Sequence, residues 1–372
     1  MLWIPGPTQV RPEILAECAR AVIGHRTAEM SATIERLDPG LKLAFGLAAG
    51  SSSQVAVHTA SATALMEASL IGAGERVLCV VNGAFSKRWL QIAQALGKDA
   101  TALEVPLGQP ADLGRLAARL AKGPAFDAVT FVSSETSTGT LTPLAGVTEV
   151  LSAHPETLLL CDLVSYVAGA PVDFDAHRLD FGFGGVQKAF ALPPGIAVAC
   201  VSQRYIERAR RQPRRSFYLD PIRILDGHAA RKTPITPCIP LYFALARQLE
   251  DITSGATLPD ADRGRSGPDA WAARFAKHDR MRARTLAWAD EQGLGSFPEP
   301  RYGSPTVSCL RAGTLDAGAL VAGLKTRGFE ISNGYGDLKG GTFRIGHMGD
   351  HTEDGLEQLL SAASEVLDGL RG

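Results

Sequence analysis

Three groups of residues in this 372-residue chain combine types and settings that chemistry would demand. The first is Lys188 in GGVQKAF, which follows the apolar stretch DFGFGG and precedes a rigid PPG turn. Nine lysines against 29 arginines make up the 38 basic residues, and lysine rarely enters so apolar and glycine-rich a stretch unless its amine is used. Desolvation lowers a lysine pKa and frees the amine as a nucleophile toward a carbonyl. The plainer reading is a surface lysine whose stem lies on apolar neighbours while its amine reaches water.

The second is Asp162, twenty-six residues earlier, at the end of the apolar run TLLLC. A carboxylate there is costly to bury without a cation or several donors, so it calls for a positive partner; a helix cap or a structural ion pair would also satisfy it. The third is Ser61-Ala62-Thr63, after QVAVHT and at the start of a helix continuing ALMEAS. Small residues and hydroxyls at a helix N-terminus suit an anion such as phosphate, although an ordinary Ser or Thr cap looks the same. An anion seat, a carboxylate able to keep a pyridinium nitrogen protonated and an amine able to form an imine are the parts a pyridoxal phosphate (PLP) enzyme needs from its protein. No GxGxxG follows a strand, no GxxxxGK[ST] occurs, and the His, Cys, Asp and Glu residues lack metal-ligand spacing.

Such residues need a scaffold, and the chain supplies its pattern. Between residues 55 and 201, the runs QVAVHT, RVLCVV, DAVTFV, TLLLCD and IAVACV alternate with candidate helices at 84–96, 113–121 and 147–153. Alternating strand and helix predict an α/β fold with a mostly parallel sheet, whose site lies at the carboxyl ends of the strands. Two helices precede it, with Pro12 in the first turn of the first. Residues 252–269 read as a loop leading into a long linking helix at 271–292. A smaller α+β part follows, with a run at 306–310, a helix at 317–327, the run TFRIGH and a closing helix at 353–370. The expected division is an N-terminal segment at 1–20, a large domain at 21–250 and a small C-terminal domain at 251–372.

With 45% apolar and 21% charged residues the chain has material for a large core and more than one domain. A formal charge of −1 argues against a nucleic-acid binder, and the arginine-rich stretch at 204–215 reads as a solvated helix face. Six scattered cysteines without a CxxC pair, an N-terminus without a basic region and apolar stretch, and no long apolar segment predict a cytoplasmic protein outside the membrane.

The motifs also resemble a known family. PGPTQVRPEIL, IGHR, TASATALMEAS, NGAFSKRW, ETSTG, CDLVSY, GGVQKAFALPPG, KTPITP, SPTVSCL and FRIGHMGD, in this order, resemble class V aminotransferases of PLP fold type I. The likeness is to the group of alanine–glyoxylate, serine–glyoxylate and serine–pyruvate transaminases, with phosphoserine transaminase as a close relative. It implies a mixed, mostly parallel seven-stranded sheet between helices and a homodimer with active sites at the subunit interface. It makes Lys188 the imine-forming lysine and Asp162 the partner of the ring nitrogen. Val164 would pack on one ring face and Phe85 stack on the other, where relatives often have Trp. Ser61, Ala62, Thr63 and Gln187 match phosphate contacts, Thr136 lies beside the ring hydroxyl, and Thr233 matches a phosphate ligand given to the neighbouring subunit. Arg344 matches the arginine that grips the substrate carboxylate, and His25 and Arg26 resemble a pair that reaches the partner's site. The activity implied is ping-pong transfer of an amino group from alanine or serine to glyoxylate or pyruvate. Phosphoserine with 2-oxoglutarate is the alternative, and a lyase of the cysteine desulfurase or kynureninase type a further one. The lyase would need a nucleophilic cysteine on a mobile loop, whereas Cys309 lies in the strand-like TVSCL. A non-catalytic relative would not need Lys188, Asp162 and Arg344 together.

Overall fold

The computed structural model describes residues 1–213 and 215–371. Seven strands, β1 (Gln54–His58), β2 (Arg76–Val81), β3 (Asp99–Glu104), β4 (Ala128–Val132), β5 (Leu158–Asp162), β6 (Phe181–Gly185) and β7 (Ala197–Val201), form one sheet in the order β1-β7-β6-β5-β4-β2-β3. Only β7 runs antiparallel to its neighbours, β1 and β6. The sheet is therefore mixed and mostly parallel, as expected. Strands β4 to β7 are buried along their whole length, which is why β4, β5 and β7 read as apolar runs rather than alternating ones.

Two strands escaped the pattern. β3 is an edge strand, partly exposed and polar, so DATALE has no apolar run to show. β6 is FGFGG, and glycine is a poor strand former. Its glycines are there for close packing: a Cβ on Gly184 would lie 2.4 Å from Val167, and one on Gly182 2.8 Å from Leu163.

The first four helices are α1 (Pro12–Cys18), α2 (Ala28–Ala44), α3 (Ala62–Ala73) and α4 (Ala84–Ala95). Pro12 opens α1, and Thr27 caps α2 by accepting from Met30 N. The long helix Gly267–Glu291 begins four residues before its expected start. Beyond it, β8 (Gly295–Ser296), β9 (Val307–Arg311), β10 (Ser332–Asn333) and β11 (Thr342–Gly346) form a second, antiparallel sheet in the order β8-β9-β11-β10. Helices Ala317–Thr326 and Glu353–Arg371 share a core with it that includes Trp3, Phe343 and Leu359.

The first residues do not form a separate appendage. Trp3 N–H donates to Glu330 O (2.8 Å), and Gly346 N–H donates to Trp3 O (2.7 Å). Trp3 is fully buried and stacks on His351 at 3.8 Å. Arg11 then bonds Asp350 (2.7 Å), Gln248 (2.7 Å) and Asp251 (2.8 Å), while the buried Arg274 bonds the other oxygen of Asp350 (2.9 Å). Burial alone would raise the Asp350 pKa, but Arg274, Arg11 and Lys277 outweigh it and hold the carboxyl at about 2. The folded value lies below the ordinary one, so this stabilisation is present above about pH 4 and is lost as pH falls toward 2. Asp350→Asn is expected to destabilise the protein at pH 7 by about 3 kcal/mol or more, because Arg274 is left buried without its counter-charge. Urea unfolding at pH 7 checks this; the deficit should shrink below pH 4.

The arginine-rich stretch proves more occupied than a solvated face. Within the helix Gln203–Arg210, Arg204 bonds Asp180 (2.9 Å) and Arg208 bonds Glu156 O (2.8 Å); both tie loops at the amino ends of β5 and β6. Arg214 lies outside the described residues. The six cysteines are free thiols, four of them buried in strands. Among the described residues, no helix is long and apolar enough to cross a membrane.

Candidate active site

The carboxyl ends of the parallel strands surround a cavity of about 330 Å3. Ser61 precedes α3 without capping it through its side chain; Ala64 N–H donates to Ser61 O (2.9 Å), and among the described residues nothing takes the N–H groups of Ala62 and Thr63, which stay open to a ligand. Ala62 sits inside the helix with an ordinary helical backbone, so alanine in place of glycine costs nothing there. Ser61, Ala62 and Thr63 line one end of the cavity, and the Arg88 guanidinium reaches Thr63 Oγ1 (3.1 Å).

Asp162, the last residue of β5, is buried and lines the floor. Its Oδ1 accepts from Val164 N (2.8 Å), and among the described residues nothing donates to Oδ2. Burial raises its pKa; the Val164 N–H, Lys188 and Arg88 pull it back and Glu135 pushes it up, leaving it at about 7. Lys188 follows β6 in a turn, with its amine donating to the carbonyl of Pro5. Burial lowers the amine pKa, Asp162 raises it and Arg344 lowers it further, to about 8. Gln187 lies beside it, and Gly185 leaves the room its amide occupies, since a Cβ there would meet Gln187 Oε1 at 2.7 Å.

Phe85 lines the cavity from the first turn of α4, and the Arg88 guanidinium lies 4.9 Å above its ring centre. Thr136 hydrogen-bonds Ser165 (2.6 Å) and faces the same space. Arg344, in the middle of β11, stands behind Thr136: its Nε donates to Asn333 O and its Nη1 to Thr136 O, each at 3.1 Å. Its Nη2 has no partner among the described residues, which leaves donors for a carboxylate.

Nine of the expected residues thus line one cavity, and Arg344 borders it. Three do not. Thr233 lies elsewhere, with a buried Oγ1 that has no hydrogen-bond partner among the described residues. His25 and Arg26 are in the exposed turn before α2.

Around the cavity stand further residues that the motifs gave no role, Glu135 behind its wall and Arg88, Gly6 and Pro7 in it. Glu135 is fully buried and accepts from the N–H groups of Phe85 (3.3 Å), Ser86 (2.9 Å) and Ser137 (3.1 Å) and from Ser137 Oγ (2.6 Å), so one carboxylate fixes the start of α4. A glutamate directly after DAVTFVSS was the available signal. Arg88 had none beyond its motif, and neither did Gly6 and Pro7, which form part of the wall. Cys309 is buried in β9 with its thiol pushed by burial to about 11, an inert setting for a nucleophile.

A phosphorylated aromatic aldehyde with a protonatable ring nitrogen fits these groups. The open helix start suits its phosphate, the unpartnered Asp162 Oδ2 its ring N–H, Phe85 and Val164 its faces, and the desolvated Lys188 amine its aldehyde.

Residues 49–236, half of the chain, match the family model Aminotransferase class-V, and the protein belongs to that family of PLP-dependent transaminases. Among named relatives, the small subunit of a soluble hydrogenase from Synechococcus sp. (strain PCC 6716) is 30% identical over 99% of this chain and 92% of its own. The L-aspartate–glyoxylate aminotransferase of Paracoccus denitrificans (strain Pd 1222) is also 30% identical, over 98% of this chain and 90% of its own. The solved alanine–glyoxylate aminotransferase of Nostoc sp. superimposes with a TM-score of 0.86 at 28% identity, covering 98% of this chain and 94% of that one.

Proposed function

We propose that this chain moves the amino group of a small amino acid, alanine or serine foremost, to glyoxylate or pyruvate. The observation that carries the reading is one cavity holding a desolvated lysine amine, a buried carboxylate and, at its border, an arginine with a free donor edge.

When bound, PLP supplies the electron sink that makes an amino acid Cα–H acidic. The protein's residues do the rest. Ser61, Thr63 and Gln187, with Thr233 of a partner subunit, hold the phosphate end. Asp162 Oδ2 keeps a proton on the ring nitrogen, while Phe85 and Val164 fix the ring plane. Arg344 Nη2 seats the substrate carboxylate, and the Lys188 amine takes the proton from Cα and returns it on the other side of the exchange. Thr136 and Ser165 orient the ring hydroxyl. In this reading the working unit is a homodimer, with His25 and Arg26 reaching the other subunit's site, in the cytoplasm, where six free thiols would stay reduced.

Phosphoserine is the weaker donor. Two of the relatives above are named for aspartate and alanine with glyoxylate, and within one chain His25 and Arg26 do not line the cavity. Purified protein supplied with PLP should form glycine from glyoxylate with alanine, serine or aspartate. No glycine from any of the three, or faster turnover of phosphoserine with 2-oxoglutarate, would displace the reading.

Phe85 offers a smaller check. Phe85→Ala should weaken PLP retention by about tenfold, the scale of a lost aromatic stack, as measured by the cofactor dissociation constant.

A further inference from the structure

The N-terminal residues cross the cavity in an unusual way. Backbone bonds hold them at both ends: Gly346 N–H donates to Trp3 O (2.7 Å), and Thr8 N–H donates to Gln187 O (3.0 Å). One anchor lies two residues from Arg344 and the other directly before Lys188. Between them, residues 4–7 lie against the lysine side chain. A Cβ on Gly6 would stand 2.6 Å from Lys188 Cδ and 2.7 Å from both Cε and Nζ, and its φ of +122° suits only glycine. A Cβ on Gly346 would in turn stand 2.4 Å from Ile4 O, so the strap also sits flush on β11. The carbonyl it turns toward the amine belongs to Pro5, and this is the only hydrogen bond of Lys188 Nζ among the described residues.

We infer that the Pro5 carbonyl is the docking point of the Lys188 amine whenever that amine is not joined to carbon, so that residues 4–7 act as a positioning strap for the reacting nitrogen. The inference rests on the proposed function in one respect, that the amine is free during part of each turnover. Without an acceptor, a lysine amine on four rotatable bonds would sample many orientations. One fixed carbonyl selects a single approach and removes the cost of finding it during reaction. The charged groups facing the amine are Asp162 from β5 and Arg344 from β11, of opposite sign, so the neutral carbonyl is what sets direction rather than net charge. Because the strap is bonded to β11, the same strand locates both Arg344 and the amine's acceptor.

The test leaves every side chain in place. Glycolic acid introduced at position 6 by nonsense suppression turns the Pro5 carbonyl into an ester, a weaker acceptor, and the N–H it removes donates to nothing among the described residues. The cofactor-free protein is treated with trinitrobenzenesulfonate at pH 7, and labelling of Lys188 is followed by peptide mass mapping. A weaker acceptor holds the ammonium form less well, so Lys188 should label about threefold faster while the other lysines keep their rates. In the loaded enzyme, kcat should fall with little change in KM for the amino acid, because Arg344 is untouched. An unchanged labelling rate overturns the inference. Should the ester protein fail to accumulate, Gly6→Ala must part the amine from the carbonyl and should give the same acceleration; an unchanged or slower rate counts against it. Absence of transamination would instead sink the proposed function, and the labelling result stays readable without it.

Discussion

Lys188→Ala is expected to abolish amino transfer, lowering kcat by roughly 10⁴-fold or more, since it removes both the nucleophile and the group that carries the substrate proton. The protein should also lose the absorbance near the visible edge that PLP gives on a lysine, and addition of an amino acid should shift nothing. Folding should survive. The amine is desolvated, with a pKa near 8, and alanine relieves that burial. A variant that keeps the band, or that transfers amino groups at more than a hundredth of the parent rate, would move the chemistry away from this residue.

The second large effect is expected at Asp162. Asp162→Asn keeps the shape and the Val164 contact but gives up the charge, and kcat should fall on the order of 10²-fold or more, the scale seen when one preorganised electrostatic partner is withdrawn. Stability should move the other way. The folded-state pKa of about 7 lies above the ordinary carboxyl value, so in the cofactor-free protein the buried carboxylate costs stability progressively as pH rises from about 4 to 7. Asparagine carries no such cost. The cofactor-free variant should therefore melt above the parent at pH 8 and converge with it toward pH 4. Equal melting temperatures at pH 8 would mean that Asp162 is better compensated than its single hydrogen bond suggests. Function at the expense of stability is a common bargain at active sites.

How far the sequence carried this picture depended on what each residue costs in the wrong place. Lys188 and Asp162 stood out because an amine and a carboxylate in apolar runs need a reason, and Ser61 to Thr63 because small polar residues open an otherwise apolar helix. The buried strands announced themselves as apolar runs, whereas edge strand β3 and glycine-filled β6 did not. Arg344 was readable only through the family likeness, since an arginine in TFRIGH looks like any strand residue. Glu135 acts through backbone N–H groups, and Pro5 through its carbonyl, neither of which leaves a side-chain signature in a distant part of the chain. Thr233, His25 and Arg26 concern a second subunit, to which periodicity within one chain has no access.

The charge cluster around Asp350 has a consequence for how the molecule comes apart. Arg11 comes from the N-terminal segment, Gln248 and Asp251 from the helix Ile239–Thr253, Arg274 from the long helix and Asp350 from the turn after β11. Four charged side chains from four stretches, with Gln248 bridging two of them, share one charge balance at this seam, so separating the stretches leaves buried charge without its partner. Small thermal openings at this seam are suppressed together rather than one by one. The two sheets are therefore expected to melt in a single transition at pH 7, with this seam holding until the last.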